Sequence, residues 1–190
     1  MITYKQVDKA YFPQYDTIPM LVHVASYYNI VKINRGLGGF ELVETPTKPY
    51  IKDFGIYESA TEYKKHFDIT NWAIFMAFDG DKAVGGVTIA SRTKGVNMLS
   101  GRDDLAVLWD IRVDDTYKHQ GIGQTLFDRA VEWSKSQGLK QMKIECQNNN
   151  IPACNFYHKQ GASLCAFDEY AYYGEPECRH EVQFIWFLDL

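Results

Sequence analysis

The amino-acid sequence predicts an α/β domain built on a mixed sheet, and three observations carry that expectation. Strand-like and helix-like segments alternate through the second half of the chain, an Asp-Gly turn joins two apolar runs, and a glycine-containing turn leads from a strand into an amphipathic helix. A length of 190 residues suits one domain, taken here as 1–190.

The elements follow in order. Ile2 to Val7 alternates weakly and reads as an opening strand. Tyr11 to Asn34 suggests two stretches of helix around Pro19, and Arg35 to Phe40 (RGLGGF) is a glycine-rich loop. The prolines of Thr45-Pro46-Thr47-Lys48-Pro49 punctuate the chain and introduce an extended segment ending near Phe54. Ser59 and Glu62 form a capping-box pattern that opens a helix through Phe67. Trp72–Phe78 and Ala83–Ser91 make a hairpin, because the Asp79-Gly80 turn supplies the positive φ that such loops need. Leu105–Val113 is the next strand. A helix follows from about Gly123 to Gln137, with Leu126, Phe127, Ala130, Val131 and Trp133 near one face and Gly138 at its end. Gln141–Gln147 is a strand, Pro152–Lys159 a short helix and Val182–Asp189 a closing strand. The aromatic run Phe184-Ile185-Trp186-Phe187 in that strand can pair inside the sheet or across a homodimer.

Composition excludes several functions. Twenty Lys and Arg against 24 Asp and Glu give a net charge of −4, so there is no global positive field for nucleic acid. Met1 to Phe12 lacks an apolar signal core and the longest apolar run, Trp72–Phe78, is far too short to span a bilayer; a cytoplasmic protein is expected, with no membrane partner. Cys146, Cys154, Cys165 and Cys178 contain no C-x-x-C pair, and they are expected to stay reduced and behave as small hydrophobes. His23, His66, His119 and His180 are scattered, so no metal site is expected. Cys154 and His158 share a helical face, but no oxyanion loop or orienting acid accompanies them.

The segment Val113 to Leu126 carries the most chemistry. Gly121 and Gly123 let backbone approach a ligand where the helix begins, and the open N–H groups and positive dipole end there attract phosphate. The plainer reading is a tight strand-to-helix turn. A dinucleotide fingerprint would need a small residue where Leu126 stands, and a P-loop would need G-K-[S/T]; Gly36-x-Gly38-Gly39 fails as well, with Glu41 at its third glycine position.

Two motifs now carry a resemblance. Lys118 to Gly123 resembles the [Q/R]-x-x-G-x-[G/A] acetyl-coenzyme A loop of the GCN5-related N-acetyltransferases, and Asn150 to Ala162 is similar to that family's N-x-x-A-x-x-F-Y-x-x-x-G-F segment. Lys118 stands for the usual Gln or Arg, and Ala162 for the usual Phe. The resemblance covers about residues 71–189 and implies a central twisted, mostly antiparallel sheet flanked by helices, with residues 1–70 shaping the acceptor side. It implies acetyl-coenzyme A as cosubstrate and no metal. Backbone groups of Ile111 and Val113 would pair with the pantetheine amides, while Lys118, His119, Gln120, Gly121, Ile122, Gly123 and Gln124 would hold the pyrophosphate. Asn150 would bond pantetheine, cap the helix opened by Pro152, or both. Tyr157, one helical turn from Ala153, would be the general acid for the departing thiolate, against the plainer reading of a buried tyrosine.

For the acceptor's proton the residues offer Asp110 and Glu145, each as base, substrate anchor or structural carboxylate. The acidic, tyrosine-rich stretch Asp168 to Glu181 suits a cationic amine, with Glu175 and Glu177 as anchors beside Asp110; a solvated loop is the alternative. Within the family, Leu108–Val113, Ile144–Asn150, Ala153–Tyr157 and Trp186–Leu190 look like streptothricin acetyltransferases, a likeness that extends through Phe40–Phe54. The implied activity is direct acetyl transfer to a primary amine of a cationic small molecule such as a streptothricin-like antibiotic. A protein or peptide N-acetyltransferase and a non-catalytic acyl-coenzyme A-binding module are the alternatives.

Overall fold

A computed structural model describes all 190 residues. The strands are β1 (Ile2–Gln6), β2 (Leu21–Ile33), β3 (Gly39–Asp53), β4 (Ala73–Asp79), β5 (Lys82–Ser91), β6 (Leu105–Val113), β7 (Gln141–Gln147), β8 (Ser163–Asp168) and β9 (Gln183–Asp189). The helices are α1 (Phe12–Tyr15), α2 (Ala60–His66), α3 (Ile122–Ser136) and α4 (Ile151–Lys159). Hydrogen bonding orders seven strands β1-β4-β5-β6-β7-β9-β8, and β2 and β3 form a separate hairpin. The chain resolves into two compact units: Met1–Leu21 with Asp53–Ile144 and Leu188–Leu190, and Val22–Lys52 with Glu145–Phe187. No helix is long and apolar enough to cross a membrane.

In the first unit, β1, β4, β5 and β6 pair antiparallel in turn, and β6 pairs parallel with β7. Two adjacent glycines of β5 decide what covers this sheet. A Cβ on Gly85 would lie 3.0 Å from Ile122 and Leu126 of α3, and one on Gly86 would lie 2.3 Å from the Tyr15 ring. Neighbouring strand residues point to opposite faces, so one glycine admits α3 and the other admits the α1 turn. Met76, Val84, Val87, Ile89, Leu105, Leu126 and Phe127 form the sealed core. The β6 ladder carries a bulge: Thr88 pairs with Asp110 but Ile89 pairs with Leu108, which leaves Trp109 as the extra residue.

Two expectations fail here. Helix is confined to Phe12–Tyr15, and the second stretch around Pro19 is the strand β2, whose LVHVASYYNIVKI run is rich in β-branched and aromatic residues. Ser59 stands at the N-cap of α2 but its hydroxyl does not cap it. Asp16 does so instead, accepting from Ala60 N at 2.6 Å and Thr61 N at 3.1 Å, and from Ser59 Oγ at 2.8 Å. A tertiary cap thus replaces the local box.

In the second unit, β2 and β3 are joined by a turn in which Asn34 (φ 49°), Arg35 (φ 55°) and Gly36 (φ 101°) are left-handed. Pro46 and Pro49 do not end β3, because in a two-stranded sheet every strand has an open edge for a residue without an N–H. Asn148 joins β2 to the start of β9: its backbone exchanges 2.9 Å bonds with Tyr28 and Val182, and its side-chain amide repeats both links. The strand β8, which the sequence pattern does not reveal, pairs antiparallel with β9, so the aromatic closing strand is paired within its own chain.

Asp16→Ala is expected to destabilise the protein by about 1–2 kcal/mol, the range of a lost helix cap, and Ser59→Ala by less. Urea denaturation of both variants measures the difference.

Candidate active site

The loop from β6 into α3 is built by its own hydrogen bonds. Asp114 Oδ1 accepts from Thr116 N at 3.0 Å and Oγ1 at 2.7 Å, and its Oδ2 from Lys82 Nζ at 2.9 Å. His119 (φ 62°) and Gly121 (φ 81°) then reverse the chain. The first bond of α3 runs from Thr125 N to Gly121 O at 3.0 Å, so the N–H groups of Ile122 and Gly123 have no acceptor inside the helix. Gly121 is required by its backbone angle. A Cβ on Gly123 would meet only Val113 Cγ2 at 3.7 Å, so there the protein tolerates a side chain and the glycine serves approach from outside. The Lys118 ammonium pairs with Asp115 and donates to Leu21 O at 3.1 Å. The Gln120 amide donates to Thr116 O at 3.3 Å and that of Gln124 to Asp128 at 2.8 Å.

Ile111 and Val113 sit where such a ligand could extend the sheet. The parallel ladder with β7 runs from Leu105 to Leu108 and ends there, while on the other side Ile111 and Val113 pair with Val87 and Gly85 of β5. The last turn of β6 therefore has one ladder, not two.

Asp110 is ion-paired within the sheet. Arg112 Nε donates to Asp110 Oδ2 at 2.8 Å and a second guanidinium nitrogen donates to the same oxygen; both side chains are sealed from solvent. Burial pushes the Asp110 carboxyl up, and the Arg112 charge opposes it. Arg112 also lies 5.0 Å from the Tyr15 ring centroid and reaches Ile18 O at 3.4 Å. The other Asp110 oxygen is buried near the Tyr15 phenol.

Beside this pair the structure gathers residues the sequence reading missed. Tyr63, Phe67, Trp72 and Trp109 pack ring against ring with centroids 5.0–6.0 Å apart. Glu58, half-buried and just ahead of α2, faces Trp109 and Tyr63. Its only sequence signal was a carboxylate next to a helix start.

The second unit holds the other predicted residues. Asn150 caps α4, its Oδ1 accepting from Ala153 N at 3.2 Å. Tyr157 is buried on the same helix. Glu145 accepts from Tyr172 Oη at 2.7 Å, and Gln147 Nε2 donates to that oxygen at 3.1 Å. Burial and the Glu145 charge push the Tyr172 phenol well above its ordinary value, so Glu145 is a clamp on the tyrosine-rich stretch. Glu175 and Glu177 are exposed there. Glu169 and Glu181 are instead paired with Lys32 and Lys52, and Asn149 donates to Glu181 at 3.0 Å. Cys146 and Cys154 are buried thiols 3.6 Å apart, as expected of small hydrophobes, whereas Cys165 is exposed. On α4, His158 is exposed and Cys154 is buried.

A glycine turn at a helix start, a strand edge that loses its ladder and a mixed sheet define an acyl-coenzyme A-dependent transferase, and the comparisons agree. The model of the Acetyltransferase (GNAT) family matches residues 40–162, and the chain belongs to that family: it is an acetyl-coenzyme A-dependent N-acetyltransferase. Similar proteins include a streptothricin acetyltransferase of Escherichia coli, 30% identical over 78% of this chain and 76% of that one, and streptothricin acetyltransferase A of Bacillus subtilis (strain 168), 28% identical over 74% of each. Solved structures of the same fold include a nourseothricin acetyltransferase (TM-score 0.77, 20% identity, 99% and 98% of the chains). Another is a protein of Bacillus anthracis str. Ames, assigned as a streptothricin acetyltransferase, in complex with acetyl coenzyme A (TM-score 0.74, 24% identity, 100% of each chain).

Arg112→Met leaves Asp110 buried without its counter-charge and is expected to cost about 3–5 kcal/mol. Adding Asp110→Asn should recover part of that loss, and equilibrium unfolding of the single and double variants measures it.

Proposed function

We propose that this enzyme transfers acetyl from acetyl-coenzyme A directly to a primary amine of a cationic small molecule, with a streptothricin-like antibiotic as acceptor. The observation that carries the proposal is the 30% identity to a streptothricin acetyltransferase across 78% of the chain. Residues 1–190 act as one acetyltransferase domain, in which residues 1–70 serve the acceptor side.

Each predicted residue then has a task. The open N–H groups after Gly121 receive the diphosphate, aided by the positive end of α3. The β6 edge at Ile111 and Val113 offers backbone partners to the pantetheine amides. Asn150 adds a side-chain contact to its capping bond. Tyr157 gives its phenolic proton to the sulfur as the thioester C–S bond breaks, and regains one from the acetylated nitrogen. Glu175 and Glu177 attract the cationic acceptor.

Release of thiol from acetyl-coenzyme A is the test, with a streptothricin, a polyamine and a lysine peptide as acceptors. Turnover of the streptothricin at the highest kcat/KM supports the proposal; turnover of the peptide alone overturns it in favour of a peptide N-acetyltransferase, and binding of acetyl-coenzyme A without turnover leaves only a binding module. Tyr157→Phe should lower kcat by about 10²-fold or more, the scale of general acid catalysis, with acetyl-coenzyme A affinity unchanged. Glu175→Gln with Glu177→Gln should raise acceptor KM several-fold and leave the affinity for acetyl-coenzyme A as it is.

A further inference from the structure

The first unit contains a polar spot that its own residues do not complete. Trp109 Nε1 and Tyr63 Oη are buried without a hydrogen bond of normal length, although both face the Glu58 carboxylate. Tyr63 comes from α2 and Trp109 from the bulge of β6, and their rings stand 6.0 Å apart. Phe67 and Trp72 back them at 5.2 and 5.0 Å from the Trp109 ring. A half-buried carboxylate beside a phenol oxygen that can accept, framed by aromatic rings, suits an organic cation: the ammonium meets a negative charge and the ring faces together. Asp110 is enclosed by Arg112, which leaves Glu58 as the half-exposed carboxylate of this cluster.

We infer that Glu58 binds the ammonium group of the acceptor beside the Trp109 and Tyr63 rings and takes its proton. This rests on the amine-acetylation reading above and supplies the base that reading lacks. Trp109 lies two residues before Ile111 on β6, the strand assigned to the pantetheine arm, so the amine and the thioester are brought to the same strand. Glu58 removes one proton from R–NH3+. The nitrogen lone pair then bonds to the thioester carbonyl carbon, the C–S bond breaks with its electron pair leaving on sulfur, and a second nitrogen proton balances the thiolate as free thiol. The proton on Glu58 returns to solvent.

The electrostatic setting fits the task. Burial, followed by the negative charge of Asp110, pushes Glu58 from an ordinary 4.5 to about 7, against the opposing pull of Trp109, Arg112 and Tyr63. A carboxylate poised there accepts a proton far more readily than a surface glutamate. It works as a base only when ionised, so activity rises with pH through that value.

The test is steady-state kinetics of wild type, Glu58→Gln and Glu58→Asp with streptothricin and a lysine peptide across about pH 5.5 to 9, with acetyl-coenzyme A affinity measured by calorimetry. For Glu58→Gln the acceptor kcat/KM should fall about 10²-fold or more, and the acidic limb near neutral pH should vanish, while acetyl-coenzyme A affinity stays unchanged. Glu58→Asp should keep part of the activity. Wild-type kcat/KM and an unaltered acidic limb in Glu58→Gln overturn the assignment. If Glu58→Gln fails to bind acetyl-coenzyme A, Glu58→Asp decides, and wild-type kcat/KM in that variant overturns it as well. Wild type that acetylates the peptide alone, with Glu58→Gln impaired, overturns the antibiotic reading and upholds Glu58. Wild type that acetylates neither acceptor overturns both.

Discussion

A guanidinium and a carboxylate buried side by side in a sheet have to be satisfied by what surrounds them, and the first unit is organised by that demand. Removing two ions from water is costly enough that their mutual attraction repays it only with good geometry and further partners. Arg112 finds those partners in Asp110, the Tyr15 ring and Ile18 O, which ties β6 to the turn after α1. The same turn carries Asp16, whose carboxylate caps α2. A line of contacts therefore runs from the centre of the sheet through Tyr15 and Asp16 to the helix that holds Tyr63, and Gly86 is what lets Tyr15 come close enough to begin it.

This arrangement also sorts the carboxylates by role. Asp110 and Glu58 belong to the same electrostatic neighbourhood, yet Asp110 is ion-paired with Arg112, whereas Glu58 meets Trp109 and Tyr63 and feels Arg112 only as a nearby charge. The negative charge that Arg112 holds in place raises the proton affinity of its neighbour. One carboxylate is thus locked in an ion pair and the other is not, a division set by environment rather than residue type.

What the sequence revealed depended on how local its causes were. The β4–β5 hairpin, β6, α3 and β7 are legible because turn chemistry and periodicity sit inside each segment, and the glycine loop is legible because its geometry depends on its own Asp114, His119 and Gly121. The strand β2 is not, since its long apolar and aromatic run takes its state from pairing with β3. Ser59 and Glu62 imitate a local cap, while the working cap comes from Asp16, more than 40 residues earlier. The contacts of Glu58 and Tyr172 escaped for the same reason: their partners, Trp109 and Glu145, lie far along the chain. Asp110 was legible as a candidate, but its burial with Arg112, two residues on along the same strand, is visible only in the fold.

The central claim is that burial, reinforced by the negative charge of Asp110, makes Glu58 the proposed proton acceptor of the first unit. The direct measurement is a carboxyl carbon NMR titration of protein labelled at its glutamate side chains, with Glu58→Gln identifying the resonance. The account predicts a midpoint near 7 for Glu58, against 4.5 for an ordinary glutamate. A Glu58 resonance that titrates in the ordinary range would contradict it.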